Sequence, residues 1–194
     1  MLKPPTLCLN MIVKNESHII KKTLTNLCEK FKFDYWVISD TGSSDNTVEI
    51  IENFFKGKNI TGEIHHDQWV NFAHNRNLAL EYAFEKTDLL LIFDADDGIV
   101  GTPIILYSPE IHGYKMTFKE ESIKYQRTCL INNKKIWRYK SVLHEYIYCI
   151  ESNQQIGLVS GDYYLISGRS GARSKDPNKY LKDAQLLESA YHEE

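Results

Sequence analysis

Three carboxylates directly follow an apolar stretch near the middle of the chain. Asp94, Asp96 and Asp97 come after Leu89–Phe93, which has the pattern of a buried strand. Carboxylates held together against a hydrophobic strand repel one another unless a cation joins them. Mg²⁺ and Mn²⁺ take one or two protein carboxylates and complete their coordination with water and phosphate oxygens. The pattern therefore predicts a divalent metal beside a diphosphate; the alternative is an acidic turn with solvated side chains.

Other polar residues end two further apolar runs or lie in a helical stretch. Asn15 and Glu16 follow the first run, Asp40 and Thr41 end the second, and Arg76 lies in an alanine- and leucine-rich segment. A carboxylate such as Asp40 can accept a hydrogen bond from a base or a ribose hydroxyl. An arginine offers a fixed positive fork to phosphate. The alternatives are an ordinary loop after the second run and a helix-surface position for Arg76.

The first hundred residues alternate strand and helix patterns. Strand patterns lie at 6–13, 35–39, 62–66 and 88–93, and helical patterns at 20–27, 48–55 and 72–86. Asn46 and Glu49 make a capping-box pattern at the start of the second helix. Such alternation predicts a parallel sheet with right-handed crossovers, whose ligands lie beyond the carboxyl ends of the strands. The polar residues named above should therefore converge on one crevice.

The second half of the chain has a different pattern. Strand-like segments lie at 114–118, 125–131 and 142–150, with turn residues at Asn132 and Asn133, which predicts mixed or antiparallel sheet. Residues 178–194 have helical periodicity without a glycine or proline stop, so we expect the helix to lead into further sequence. The 194 residues fit one α/β domain, since a domain usually has about 100–200.

Composition excludes several classes of protein. The chain has 23 basic and 26 acidic residues and a net charge of −3, without the basic surplus typical of nucleic-acid binders. Its longest purely apolar run, Leu89–Phe93, is far shorter than the roughly 18 residues of a membrane span. Residues 1–6 lack the pattern of a secretory signal, and the four cysteines show no CxxC spacing. We therefore expect a cytoplasmic protein with reduced cysteines and no membrane span.

Four segments together resemble glycosyltransferase family 2. They are LNMIVKNE at 9–16, VISDTGSSDNT at 37–47, NRNLA at 75–79 and FDADD at 93–97. Later segments at 137–146 and 171–180 resemble a subgroup in which such a domain precedes tetratricopeptide repeats. The resemblance implies a GT-A fold, which is a Rossmann-like nucleotide-diphospho-sugar transferase fold with a mostly parallel central sheet and a mixed second half. We expect one domain over 1–194, in which 1–100 bind the nucleotide sugar, 101–176 bind the acceptor, and 177–194 form the C-terminal helix.

The resemblance also implies roles for the polar residues. Asp40 is expected near the base, Arg76 near the base or phosphates, and Asp94 near the ribose or metal, while Asp96 ligates Mn²⁺ or Mg²⁺. Thr41 stands where many family members have a second acid. Arg169 and Arg173 are expected to fold over the diphosphate as a lid; the alternative is a flexible surface loop. The donor-site residues predicted in this way are Asn15, Glu16, Asp40, Thr41, Arg76, Asp94, Arg169 and Arg173.

An inverting transfer needs a general base, and the second half must supply it. His144 and Glu145 lie in the predicted strand 142–150, where alternation places them on opposite faces. We predict Glu145 as the base and His144 as a metal or phosphate ligand, which makes the metal set Asp94, Asp96 and His144. The alternative is a strand histidine beside a solvent-facing glutamate.

The sequence therefore predicts a metal-dependent, inverting glycosyltransferase. It would move a hexosyl or N-acetylhexosaminyl group from a UDP-sugar to a hydroxyl acceptor on a protein, glycan or lipid. One alternative is a degenerate, non-catalytic module that binds a nucleotide sugar or glycan. A sugar-nucleotide nucleotidyltransferase is a weaker alternative, because residues 14–16 form no glycine-rich phosphate loop. His65, His66 and Trp69 are interpreted as an edge strand and loop without a functional role.

Overall fold

The computed structural model describes residues 4–168, 171 and 177–193, with side chains described through residue 188. Helices and strands alternate through β4, and strands predominate after it. The first elements are β1 (Leu7–Val13), α1 (Ile20–Lys30), β2 (Tyr35–Asp40), α2 (Thr47–Lys58), β3 (Gly62–His66), α3 (Phe72–Ala83) and β4 (Leu89–Ile92). The others are β5 (Gly98–Gly101), β6 (Gly113–Glu120), β7 (Ile123–Asn132), β8 (Trp137–Lys140), β9 (Tyr146–Cys149), β10 (Ile156–Leu158), β11 (Tyr163–Ile166) and α4 (Lys179–Glu193).

The first four strands form a parallel sheet in the order β3-β2-β1-β4. Alternate residues of a strand face opposite sides of a sheet, so β1 contributes to two cores. Leu9 packs with α1 and α2, whereas Cys8 packs with Leu80 and Ala83 of α3. Because helices cover both faces, β1, β2 and β4 are largely buried, as the sequence predicts, whereas the edge strand β3 is half-buried. Their carboxyl ends align, with Val13 opposite Asp40 in the register of β1 and β2.

The second half extends this sheet with mixed strand directions. β7 pairs antiparallel with β4, β6 pairs antiparallel with β7, and β11 lies between β6 and β5. β10 also pairs with β6, while β8 and β9 form a separate antiparallel hairpin. The predicted mostly parallel sheet with a mixed second half is therefore confirmed. No helix in the described part of the chain is long and apolar enough to cross a membrane.

The predicted strand over 142–150 is wrong in its first half. Only Tyr146–Cys149 form β9; residues 142–144 form a bend, and Glu145 connects it to the strand. His144 has a φ of 54° and Ser141 a φ of 74°, values that an extended strand does not permit. The two-residue alternation therefore does not apply to His144 and Glu145, and the bend decides where each side chain points.

The predicted capping box is also wrong. The Asn46 side chain makes no capping hydrogen bond at the start of α2. Instead, Asp45 accepts from the Thr47 backbone N–H at 3.0 Å and from the Thr47 hydroxyl at 2.5 Å. Asp45, the residue before Asn46, thus accepts a hydrogen bond from a free N–H of the first helical turn, as an N-terminal cap does.

Candidate active site at the carboxyl ends of the sheet

The turns after β1 and β2 are joined by side-chain hydrogen bonds. Asn15, at a φ of 56°, accepts from the Ser44 N–H at 2.7 Å through its side-chain oxygen. Its own N–H donates to the Ser43 hydroxyl at 2.9 Å. The Glu16 N–H donates to the Thr47 hydroxyl at 2.8 Å. These contacts fix the turn after β1 against the turn after β2 and the start of α2.

Asp40 and Thr41 are both buried and build the turn after β2. The Asp40 carboxylate accepts from the backbone N–H groups of Gly42 and Ser43, and Thr41 donates its hydroxyl to the Val13 carbonyl at 3.1 Å. His66 places Nδ1 at 3.5 Å from Asp40 Oδ2. The side chains expected to contact a base therefore also hold the local backbone in shape.

A pocket of 600 Å³ opens beside these turns. Asn15, Glu16 and Thr41 line one part of it, and Trp69 and Lys179 line another part. Its volume lies in the range of about 300–1,000 Å³ that is typical of small-molecule sites. Three predicted donor-site residues thus share one pocket with Trp69, which the sequence interpretation had assigned to a loop without function.

Arg76 connects two carboxylates that are far apart in the sequence. Its Nη2 atom lies 2.7 Å from Asp94 Oδ1, and its Nε atom lies 3.1 Å from Glu145 Oε1. The Arg76 side chain is 8% exposed and its guanidinium lies 5.5 Å from the centre of the Tyr139 ring. The alternative of a surface arginine is therefore wrong. The structure brings Arg76, Asp94 and Glu145 together, and Tyr139 is a neighbour that no sequence pattern had indicated.

The acidic residues after β4 have different electrostatic environments. Burial alone would raise the pKa of Asp94, but the charge and hydrogen bond of Arg76 outweigh it, so this pKa is lowered. Burial raises the pKa of Asp97 to about 7, and the negative charge of Asp94 adds to the effect. A hydrogen bond from Gly168 partly opposes the rise. At neutral pH Asp94 is therefore ionised, whereas Asp97 is near its midpoint.

Backbone groups from a distant segment contact the acidic turn. The Gly171 N–H donates to Asp96 Oδ2 and the Gly168 N–H donates to Asp97 Oδ1, both at 2.8 Å. A Cβ added at Gly171 would lie 2.9 Å from Asp96 Oδ2 and 3.3 Å from Glu16 Oε1, so Glu16 and Asp96 flank the same glycine. Arg169 and Arg173, the predicted lid residues, lie outside the described residues.

The residues expected to hold a metal do not form a three-ligand group. Within residues 4–168, 171 and 177–188, no set of three or more His, Cys, Asp and Glu side chains is arranged to hold an ion. His144 is exposed in the bend before β9. The hard oxygen ligands of Asp94 and Asp96 still fit Mg²⁺ or Mn²⁺, because such an ion needs only one or two protein carboxylates when phosphate oxygens complete its coordination.

Comparison with known proteins agrees with this geometry. Residues 8–99, which hold β1 through β4 and the acidic turn, match the family model described as Glycosyl transferase family 2. The SPbeta prophage-derived glycosyltransferase SunS of Bacillus subtilis (strain 168) and glycosyltransferase SunS of Bacillus phage SPbeta are each 36% identical over 110 residues. These residues are 56% of this chain but only 22% of each SunS chain, so the chain matches a small part of its curated relatives.

A solved structure shares the fold over most of the chain. The structure of S. aureus TarS 1–349 in complex with UDP superposes with a TM-score of 0.52 at 15% identity, and the match covers 94% of this chain and 64% of the TarS 1–349 chain. At this identity the likeness concerns the fold alone, which is the GT-A fold. The parallel strands, the crevice at their carboxyl ends and the matched segment lead to one assignment. Residues 8–99, just under half of the chain, are similar to glycosyl transferase family 2.

Proposed function

We propose that this chain is a metal-dependent glycosyltransferase domain that transfers a hexosyl or N-acetylhexosaminyl group from a UDP-sugar to a hydroxyl acceptor with inversion. The observation that carries the proposal is the contact of Arg76 with both Asp94 and Glu145. It places a candidate base from the second half of the chain against the acidic turn of the nucleotide-binding half. The acceptor is a hydroxyl group of a protein, glycan or lipid.

The pocket at the ends of β1 and β2 supports a nucleotide donor. It combines polar groups from Asn15 and Glu16 with the aromatic face of Trp69, and aromatic and polar groups of this kind bind a base and a ribose. Trp69 is 37% exposed, so its ring remains accessible. TarS, which shares the fold, binds UDP in its solved complex. These observations favour uridine diphosphate as the nucleotide part of the donor.

Asp94 and Asp96 would hold the divalent ion. The ion would supply positive charge to the diphosphate, which becomes more negative as the bond to the sugar breaks. Asp97 lies beside both residues, and its pKa is raised first by burial and then by the negative charges of Asp94 and Asp96. A cation bound there would lower that repulsion.

Glu145 is suited to accept the proton of the acceptor hydroxyl. Its side chain is 15% exposed, Arg76 holds Oε1, and Oε2 has no hydrogen-bond partner among the described residues. The acceptor oxygen would attack the anomeric carbon as its proton moves to Oε2 of Glu145. The bond between the anomeric carbon and the diphosphate oxygen breaks with both electrons going to that oxygen, so UDP leaves and the anomeric configuration inverts.

The experiment measures release of UDP from UDP-glucose and UDP-N-acetylglucosamine with Mn²⁺, using water as the acceptor. Glu145→Gln should lower the rate about 100-fold or more while leaving UDP affinity within about twofold, because a general base acts in the chemical step. Glu81→Gln is the matched control, since Glu81 is 51% exposed and pairs with Arg138 at 3.3 Å. Equal rates for the two variants would show that Glu145 is not the base. Absence of UDP release from the wild-type chain with both donors would contradict transfer from these sugars.

A further inference from the structure

Three consecutive polar residues of α3 point to three different parts of the site. A helix turns about 100° per residue, so Asn75, Arg76 and Asn77 cannot face the same neighbour. Asn75 is fully buried and Arg76 nearly so, which is uncommon for such residues unless their polar atoms are paired. Arg76 reaches the acidic turn and Glu145. The two asparagines have no place in the mechanism described above.

Asn75 holds the segment that carries Trp69. Its side-chain oxygen accepts from the Val70 N–H at 3.0 Å, and its side-chain nitrogen donates to the Gln68 carbonyl at 3.0 Å. The two bonded residues are the neighbours of Trp69 on each side. One buried amide thus fixes the backbone on both sides of the aromatic residue that lines the 600 Å³ pocket.

Asn77 holds the β8–β9 hairpin. Its side-chain oxygen accepts from the Tyr139 N–H at 2.7 Å, and its side-chain nitrogen donates to the Tyr139 carbonyl at 3.1 Å. The amide therefore pairs with the edge of β8 as another strand would. In the hairpin, Lys140 of β8 lies opposite Tyr146 of β9, and Glu145 directly precedes Tyr146.

We infer that Asn75 and Asn77 are positioning residues with separate tasks, an inference that rests on the proposed function. Asn75 places Trp69 in the donor pocket. Asn77 places the β8–β9 hairpin so that Glu145 reaches Arg76. The first turns of α3 thereby set the donor pocket, the acidic turn and the candidate base relative to one another. Loss of either asparagine side chain would leave its backbone partners unpaired, so the segment that it holds would shift. A displacement of about 1 Å of a group in an active site lowers the reaction rate strongly.

The test compares Asn75→Ala and Asn77→Ala with the control Asn133→Ala. Asn133 is also buried, but it bonds the Ala83 carbonyl at the far end of α3, at 2.7 Å. Hydrogen exchange followed by mass spectrometry reports where each variant loosens the backbone. UDP affinity is measured by calorimetry with Mn²⁺, and turnover by UDP release from the two UDP-sugars. Asn75→Asp and Asn77→Asp each keep the acceptor oxygen, so they replace an alanine variant that fails to fold.

Each variant should show its own pattern. For Asn75→Ala we expect faster exchange over 67–72 and an increase of about tenfold in the dissociation constant for UDP. For Asn77→Ala we expect faster exchange over 137–149, turnover lowered about tenfold or more, and UDP affinity within about twofold of the wild type. Asn133→Ala should change neither the UDP affinity nor the turnover.

Two results would overturn the assignment of separate tasks. One is faster exchange over the whole chain in both variants, and the other is an equal loss of affinity and turnover in both, because each indicates a general structural role. Failure of the proposed function would look different. In that case the wild-type chain would not bind UDP with Mn²⁺, while the two local exchange patterns would still be seen.

Discussion

Arg76 is the residue on which the site depends most strongly. Its guanidinium is nearly buried and compensates Asp94 and Glu145 at 2.7 and 3.1 Å. Removing one partner of a buried ion pair leaves uncompensated charge, which is more costly than the loss of an exposed pair. Arg76 and Asp94 were expected in one crevice, Asp94 at the end of a buried strand and Arg76 in the helix that precedes that strand. No sequence pattern indicates the contact of Arg76 with Glu145. The bend before β9, which directs Glu145, depends on contacts between distant segments.

Arg76→Met should therefore destabilise the fold more than the same change at a surface arginine. We expect a loss of about 2–4 kcal/mol in the free energy of unfolding, allowing for the partial exposure of Asp94. Arg138→Met is the matched control, because Arg138 is 37% exposed and pairs with Glu81 at 3.3 Å. The control should lose less than about 1 kcal/mol. Urea denaturation at neutral pH measures both, and equal losses would argue against a buried, compensating role for Arg76.

Asp97 gives the metal-free protein a specific pH dependence. Burial and the nearby Asp94 charge raise its pKa to about 7 in the folded chain, whereas an unfolded aspartate titrates near about 4. Between these values the folded state binds more protons than the unfolded state, so stability falls as pH rises. The contribution amounts to about 3–4 kcal/mol over that window.

Asp97→Asn should remove this contribution. Urea denaturation in EDTA, at several pH values from about 4.5 to 7.5, should show a stability difference between variant and wild type that grows in favour of the variant as pH rises. A difference that stays constant over this range would mean that the Asp97 carboxyl group titrates alike in the folded and unfolded states.

At the scale of the elements, the sequence patterns predicted the long strands and helices but were least informative for short strands and helix caps. The alternation of strands and helices through β4 was predicted because each buried strand has a near-continuous apolar run. The short strands β5, β8, β10 and β11 were missed, since segments of three or four residues have little periodicity of their own. The start of α2 at Asn46 was predicted correctly, but the capping side chain is that of Asp45, because Asp45 and Asn46 have equally good capping side chains.

The cap of α2 can be tested by comparing these two neighbours. Burial would raise the pKa of Asp45, but hydrogen bonds from Ser17 and Thr47 outweigh it and lower the pKa to about 2. Asp45→Ala should lose about 1–2 kcal/mol at neutral pH, and Asn46→Ala less than about 0.5 kcal/mol. Because the folded pKa is lowered, the Asp45 contribution is present above about pH 4 and is lost as pH falls toward 2. Urea denaturation of both variants checks this; a larger loss for Asn46→Ala would favour the capping box.

At the scale of the whole molecule, the chain combines two kinds of sheet around one crevice. The parallel half supplies the pocket and the acidic turn, and the mixed half brings Glu145 to Arg76. The parallel half was predictable because strand and helix patterns alternate along the chain through β4, which indicates a parallel sheet with right-handed crossovers. The position of β7 between β4 and β6 was not, since no local pattern specifies which strands pair across a long connection.

The central claim is that this crevice binds a nucleoside diphosphate together with a divalent ion. The most direct measurement is thermal unfolding of the chain with UDP, GDP, CDP, TDP and ADP, each with Mn²⁺ and with EDTA. A ligand at about 100 times its dissociation constant adds roughly 2.7 kcal/mol, which should raise the midpoint by about 5–10 °C in a domain of this size. We predict such a shift with UDP and Mn²⁺, its loss in EDTA, and its loss in Asp96→Ala. A folded protein whose midpoint no diphosphate changes would contradict the proposed donor site.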